Sequence, residues 1–306
     1  MLREPCAQIA PRHLLSIGDL GRDGILAILD RAEELRTRPT DPHRFAGKVL
    51  GLLFFQPSTR TRFGFHAAMA RLGGTAIELN ETKHQPGMTR AESLSDTVRC
   101  VSAYCDAMVL RHFSVAAFEE SLSGSAVPVI NGGSGVEHHP TQTLIDLFAI
   151  RRHFGRIEGL RVGIVGDLES SRAMRSLLRA LAYFPPRELR LMLPAGEAPG
   201  LLPEELTVKP AISHMLLAGD LDVLYMGGLP EGGDGIYPEE DRAPFRLTAE
   251  RAASLEASAL VLDPLPRIDE IDPAVDTIPQ ARYFEQSADG VYVRGAILDT
   301  FLCASR

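Results

Sequence analysis

Tryptophan is absent from this 306-residue chain, and aromatic residues together make up only 6% of it. Its four cysteines, Cys6, Cys100, Cys105 and Cys303, have neither C-x-x-C nor metal-ligand spacing. That excludes a disulfide scaffold and a cysteine-built metal site, and the four read as free thiols in a reducing cytoplasm. Base is also in deficit, with 32 Lys and Arg against 40 Asp and Glu, a formal net charge of -8. A chain of this charge lacks the clustered cations that grip a nucleic-acid backbone, although a local basic pocket for a small anion remains compatible with it. No apolar run approaches the roughly 20 residues that cross a bilayer; Val49–Phe55 is typical of those present. The opening Met1-Leu2-Arg3-Glu4-Pro5-Cys6 has no apolar core of a secretory signal. A cytoplasmic protein with no nucleic-acid or membrane partner is expected.

What the chain has is the balance of a globular protein, 45% hydrophobic and 24% charged, at a length of about two domains of roughly 150 residues. Apolar runs bounded by Gly and Pro alternate with amphipathic segments. Strands are expected at Lys48–Phe55, Thr75–Leu79, Ala107–Leu110, Val127–Ile130, Leu160–Val165, Leu189–Leu193, Leu221–Met226 and Ala259–Leu262. Helices are expected around Ile25–Leu35 and at Arg60–Leu72, Glu92–Tyr104, Thr141–His153, Ser171–Tyr183 and Val291–Cys303. Such alternation predicts an α/β protein of two doubly wound parallel-sheet domains linked by helices. The boundaries fall at 1–138 and 139–290, with the helix in 291–306 packing back on the first domain. The Gly-, Pro- and acid-rich stretch Gly227–Pro244 reads as an irregular, mobile loop beside a site.

The strongest chemical signal is Gln56-Pro57-Ser58-Thr59-Arg60-Thr61-Arg62, where a strand hands over to a helix. The first turn of a helix leaves N–H groups free and carries partial positive charge. Hydroxyls from Ser58, Thr59 and Thr61 and the guanidinium of Arg60 complete a phosphate cradle. An ordinary serine cap with solvated arginines would be the plainer explanation, but two arginines and three hydroxyls in five residues weigh against it. His138-His139-Pro140-Thr141-Gln142-Thr143 opens a long helix after the glycine-rich Asn131–Gly135, and Leu110-Arg111-His112 sets an arginine at a strand's carboxyl end. Open α/β sheets bind ligands at such ends.

In combination these segments resemble the aspartate/ornithine carbamoyltransferases. The resemblance rests on Ser58-Thr59-Arg60-Thr61-Arg62, Arg111-His112, His139-Pro140-Thr141-Gln142-Thr143-Leu144 and Pro264-Leu265-Pro266-Arg267, in that order. Ser93–Thr97, Val165–Leu168 and Asp269–Ile271 extend it over essentially the whole chain, and Thr59 fits the aspartate branch better than the ornithine branch. It implies two α/β domains, a homotrimer with shared active sites, and no cofactor or metal. The implied reaction moves a carbamoyl group from carbamoyl phosphate to the amine of an amino acid. With aspartate as acceptor, that reaction belongs to pyrimidine biosynthesis. Carried over by residue, Ser58, Thr59, Arg60 and Thr61 hold the phosphate and Arg111 bridges phosphate and carbonyl oxygen. Thr61, Arg111 and His139 polarise the carbonyl, His139 as a hydrogen-bond donor rather than a base. Gln142 and the backbone of Leu265 and Pro266 hold the carbamoyl nitrogen.

Departures from the family pattern gather on the acceptor side. Arg172 matches the arginine for the acceptor's α-carboxylate. Arg90 stands where the family has a loop lysine lent by a neighbouring subunit; Lys83 is an alternative, and the loop serine falls near Pro86. The arginine and glutamine that clamp a side-chain carboxylate become Gly228 and Pro230, and the histidine before Pro-Leu-Pro becomes Asp263. A unit charge at about 4 Å is worth on the order of 4 kcal/mol at an effective dielectric of 20, so these exchanges weaken a dicarboxylate acceptor. Arg242 or Arg246 could refill the gap, and Asp263 could instead cap a helix or pair with Arg267. Two other readings stand beside the enzyme: a non-catalytic paralogue that binds carbamoyl phosphate or supports an assembly, and a dinucleotide-binding oxidoreductase. The second is weak, because Gly163 and Gly166 do not make G-x-G-x-x-G.

Overall fold

A computed structural model describes residues 12–38, 41–79, 92–194, 200–210, 220–229 and 237–303. Lys83, Pro86, Arg90 and Pro230 lie outside the described residues, as does Cys6. Two compact units divide the chain. The first runs to Leu144 and resumes at Asp289, and the second is Ile145–Ala288.

In the first unit, β1 (Val49–Phe54), β2 (Thr75–Leu79), β3 (Ala107–His112) and β4 (Val129–Ser134) form a sheet in the order β2-β1-β3-β4. Every pairing is parallel. Strands β1, β3 and β4 are buried almost throughout, which explains the apolar runs of β1 and the first four residues of β3. Leu53, Val98, Met108, Leu110, Phe118 and Val129 build a core cluster with the helices α3 (Leu94–Ser102) and α4 (Val115–Ser121). Helix α1 (Gly21–Thr37) buries Ile25, Ile28, Leu29, Ala32 and Leu35, the stripe that its periodicity predicts. Helix α2 (Thr59–Arg71) follows β1, and α5 (Pro140–Phe154) opens with proline at its first position, where a missing N–H does no harm.

The second unit holds β5 (Arg161–Gly166), β6 (Glu188–Met192), β7 (Val208–Pro210), β8 (Val223–Gly228) and β9 (Leu260–Leu262), ordered β7-β6-β5-β8-β9 and again all parallel. Helix α6 (Arg172–Leu181) follows β5. Val165, Leu224, Met226, Val261, Ile271 and Tyr283 are among its buried core. A polar chain runs through this interior: Tyr225 donates to Asp146 Oδ2 (3.1 Å), Gln286 Nε2 donates to Asp146 Oδ1 (2.6 Å), and Asp263 N–H donates to Gln286 Oε1 (3.1 Å).

The strand order in each sheet reverses once, between β1 and β3 in the first and between β5 and β8 in the second. Ligands of open α/β sheets bind beyond the carboxyl ends of the strands at that reversal.

Several elements differ from expectation. The seven-residue α4, capped by Ser114 accepting from Ala117 N–H, and the three-residue edge strand β7 were not legible, being too short to show a period. The last long helix spans Tyr283–Cys303 and so starts eight residues before the expected Val291. Its first two turns look polar with Gly290 inside them, yet Tyr283 and Gln286 are buried there. The expected irregular stretch Gly227–Pro244 is not one loop: Gly227 and Gly228 complete β8, and Glu239–Arg242 forms a helical turn continued as 3-10 in Ala243–Phe245. Among the described residues, no helix is long and apolar enough to cross a membrane.

Candidate active site

In the first unit, the expected phosphate turn occupies the β1–β3 reversal. Phe54 pairs with Arg111 across the strands, and Phe55 N–H donates to the Arg111 carbonyl at 2.9 Å. Ser58 is the N-cap of α2 in extended conformation, yet its side chain makes no capping hydrogen bond. Ser93, Ser114 and Ser171 all cap their own helices. Helix α2 therefore keeps both its orphan N–H groups and a neighbouring hydroxyl for another acceptor. Thr59 is exposed, Ser58 and Arg60 are half-buried, and Thr61 is buried.

Arg111 and Thr61 reach Gly132 near the end of β4, and His139 meets Arg111 there. Arg111 Nη1 donates to the Gly132 carbonyl at 3.0 Å and meets His139 Nε2 at 3.5 Å. A side chain at Gly132 would meet Val109 at 3.0 Å and the Thr61 methyl at 3.6 Å, so the tight packing there favours glycine. Arginine has only donors, which makes Nε2 the acceptor of that contact; Nδ1 lies 3.3 Å from Thr141 Oγ1. Asn131 stiffens the glycine-rich strand end, donating to Leu15 O and Ser134 Oγ and accepting from Gly133 N–H. Gln142 is half-buried in the first turn of α5.

One cation here was missed from sequence. Arg294, on the long last helix, is 4% exposed and makes no hydrogen bond or ion pair among the described residues. Its guanidinium lies against Gly64 and 5.7 Å from the Phe65 ring centre, and its pKa falls to about 10, first through burial and then through the Arg60 charge. A signal was present: Gly64 interrupts α2 one turn after Arg60, and a helix-interior glycine without a turn implies that something occupies its side-chain space.

In the second unit, Arg172 begins α6 beyond β5. Arg175 braces the connecting turn by donating to Leu168 O (2.8 Å) and Glu169 O (2.6 Å), and Ser171 caps the helix. Burial lowers the Arg172 pKa to about 10. Asp263 Oδ1 accepts from Leu265 N–H at 2.5 Å, while Arg267 hydrogen-bonds Asp276 and feels the Asp263 charge without a hydrogen bond to it among the described residues. Asp263 thus holds the Leu265–Pro266 turn, with Leu265 at φ +54° and a cis Leu265–Pro266 bond. Arg242 and Arg246 are both engaged by Asp269, Arg242 through its carboxylate (Nε to Oδ2, 2.9 Å) and Arg246 through carboxylate and carbonyl. Gly228 ends β8 at φ +71°.

Both units match one family. The carbamoyl-phosphate-binding domain of the aspartate/ornithine carbamoyltransferases matches residues 12–152, and the Asp/Orn-binding domain of that family matches residues 158–301. The chain belongs to this family and is a carbamoyltransferase, which sets aside the paralogue and oxidoreductase readings. Within it, the similarity runs to aspartate enzymes: the aspartate carbamoyltransferase catalytic subunit of Archaeoglobus fulgidus is 43% identical over 94% of this chain and 98% of its own length. The catalytic subunit of M. jannaschii aspartate transcarbamoylase is 36% identical, with a TM-score of 0.82 over 95% of this chain and 98% of that one. The ornithine carbamoyltransferase of Thermus thermophilus is 28% identical, yet its TM-score is 0.84 over 95% of this chain and 99% of that one. Backbone likeness thus does not discriminate the acceptor; side chains must.

Proposed function

We propose that this enzyme transfers the carbamoyl group of carbamoyl phosphate to the amine of an α-amino acid in the cytoplasm, and that Ser58, Thr59, Arg60, Thr61, Arg111, His139 and Gln142 bind the donor. The observation that carries the donor assignment is the uncapped N-terminus of α2 beside the Arg111–Gly132–His139 cluster, at the sheet's reversal point. Attack by a neutral amine forms a C–N bond and breaks the C–O bond to phosphate. Negative charge develops on the carbonyl oxygen and then on phosphate, which takes up the amine's proton. Arg111 and Thr61 supply donors to the oxygen, His139 orients Arg111, and Arg60 with the α2 N–H groups receives the phosphate. Arg294 adds a second buried cation behind Arg60. No side-chain nucleophile is needed, because orientation and fixed charge supply the catalysis.

On the acceptor side, Arg172 holds the α-carboxylate, and the Leu265–Pro266 backbone, braced by Asp263, holds the carbamoyl nitrogen. Assembly as a homotrimer is part of the same proposal. Phe63, Tyr104 and Phe113 on the first unit are 58%, 67% and 67% exposed, large apolar surfaces of the kind that subunit contacts cover. Arg90 is proposed to enter a neighbour's site. Light scattering reads the subunit number directly.

Calorimetry with carbamoyl phosphate, followed by phosphate release with added amino acids, tests the reaction. Arg60→Ala and Arg111→Ala should each lose carbamoyl phosphate affinity, and Arg111→Ala should also lower kcat by 10²–10³, the effect of removing one such donor. Unchanged donor affinity in both variants would end this reading.

A further inference from the structure

The turn Pro264-Leu265-Pro266 offers a ligand hydrogen-bond acceptors and no N–H. Neither proline has one, and the Leu265 N–H is taken by Asp263 Oδ1 at 2.5 Å. The Leu265 carbonyl accepts no hydrogen bond among the described residues. Leu265 is also the only residue among them, glycines aside, with a positive φ, at +54°. A leucine in that sparsely populated region must be held there by its surroundings, and such positions gather at ligand sites.

The surroundings that hold it are a buried chain of hydrogen bonds. Asp146 on α5, Gln286 on the last long helix and Asp263 just after β9 are 0%, 1% and 2% exposed. Asp146 Oδ1 accepts from Gln286 Nε2 at 2.6 Å, which turns the amide so that its Oε1 accepts from Asp263 N–H at 3.1 Å. Tyr225 holds the other Asp146 oxygen. Asp263 is thus fixed through its own N–H and fixes Leu265 with its carboxylate, while the Leu265 side chain packs on the core of the second unit. A buried polar network whose members satisfy one another is rigid.

We propose that Asp263, oriented by Gln286 and Asp146, is the positioning residue with which the enzyme tells the NH2 group of carbamoyl phosphate from a methyl group. The inference rests on the carbamoyl-transfer reading above. Asp263 consumes the Leu265 N–H and holds the Leu265 backbone, so the carbonyl oxygen is the polar backbone group that this residue presents to a ligand. An NH2 group donates to it, whereas a methyl group of the same size leaves it unpaired.

Calorimetry on the full-length enzyme with carbamoyl phosphate, acetyl phosphate and inorganic phosphate tests the proposal, since acetyl phosphate carries CH3 in place of NH2. The parent should bind carbamoyl phosphate about tenfold or more tighter than acetyl phosphate. Asp263→Ala should bring that ratio near one and lower kcat, with the affinities for acetyl phosphate and inorganic phosphate unchanged. Asp263→Asn, which keeps an oxygen for the Leu265 N–H, should restore most of the ratio. Gln286→Met cuts the chain below Asp263 and should also reduce the ratio, so it carries the test if Asp263→Ala does not fold; a cooperative melt identifies the folded variants. A parent ratio near one, or the full ratio in a folded Asp263→Ala or Gln286→Met enzyme, overturns this proposal alone. A parent that fails to bind carbamoyl phosphate, or that transfers to no amine, overturns the carbamoyl-transfer reading with it.

Discussion

Arg294 and Gly64 compete for one volume: the Arg294 guanidinium carbon lies 2.7 Å from where a side chain at position 64 would begin. A glycine inside a helix is unfavourable by roughly 1 kcal/mol relative to alanine. Here it admits a buried cation to the face of α2 that carries Arg60.

Two substitutions follow from that pairing. Arg294→Met removes a buried charge that has no ion pair among the described residues, so the melting temperature should stay level or rise while carbamoyl phosphate affinity falls at least tenfold. Gly64→Ala should lower donor affinity as well, despite alanine's better helix propensity, because it displaces the guanidinium. Thermal melts paired with calorimetry read both. An Arg294→Met enzyme that binds the donor normally would remove Arg294 from the site.

Two serines at helix N-cap positions should part company. Ser171 accepts from Met174 N–H and Ser58 caps nothing. Ser171→Ala should therefore destabilise the protein by about 1 kcal/mol. Ser58→Ala should leave the denaturation midpoint in place and weaken carbamoyl phosphate binding. Urea titrations of both variants, with a binding isotherm for Ser58→Ala, make the comparison.

Asp146 supports the second unit from inside. Asp146→Ala strands the Tyr225 hydroxyl and the Gln286 amide, and Gln286 in turn holds Asp263. An orphaned buried donor costs about 1–3 kcal/mol, so a loss of about 2 kcal/mol or more is expected in chemical denaturation. Tyr225→Phe, which removes one donor and leaves the Asp146 carboxylate its bond from Gln286, should be milder.

Acid should weaken the second unit through its surface ion pairs. Arg190 and then Arg161 hold the Asp220 carboxyl down at about 2 from an ordinary 3.8. An unfolded chain takes up that proton near pH 4, whereas the folded one resists to about pH 2. The stabilising contribution is present above pH 4 and fades as pH falls through 2. Asp220→Asn should be slightly less stable than the parent at pH 7, in low salt above all, with the gap closing by pH 2. Melts across that range measure it.

Legibility in the sequence followed range along the chain. The strand-to-helix turn at Ser58–Thr61, the proposed donor cradle, was readable because strand end, turn, hydroxyls and guanidinium lie within a few neighbouring residues, and local order there follows from helix-terminus physics. Buried strands such as Leu50–Phe54 declared themselves by unbroken apolar runs, and α1 by its stripe. Short elements such as α4 and β7 did not, since seven or three residues cannot display a period.

Asp263 shows what linear reading leaves open. Its residue type allowed a cap, a salt bridge or a substrate contact, and only the folded turn assigned it to the Leu265 amide. Arg294 is separated from Gly64 by 230 positions, and Gln286 from Asp146 by 140; each pair exists only because separate elements meet. The one-dimensional order of residues thus determined the two parallel α/β units and the strand-to-helix turn at Ser58–Thr61, whose causes are periodicity and adjacency. Tertiary packing decided which buried charges face one another, because the energy of a charge depends on what surrounds it in space, not on what precedes it in the chain.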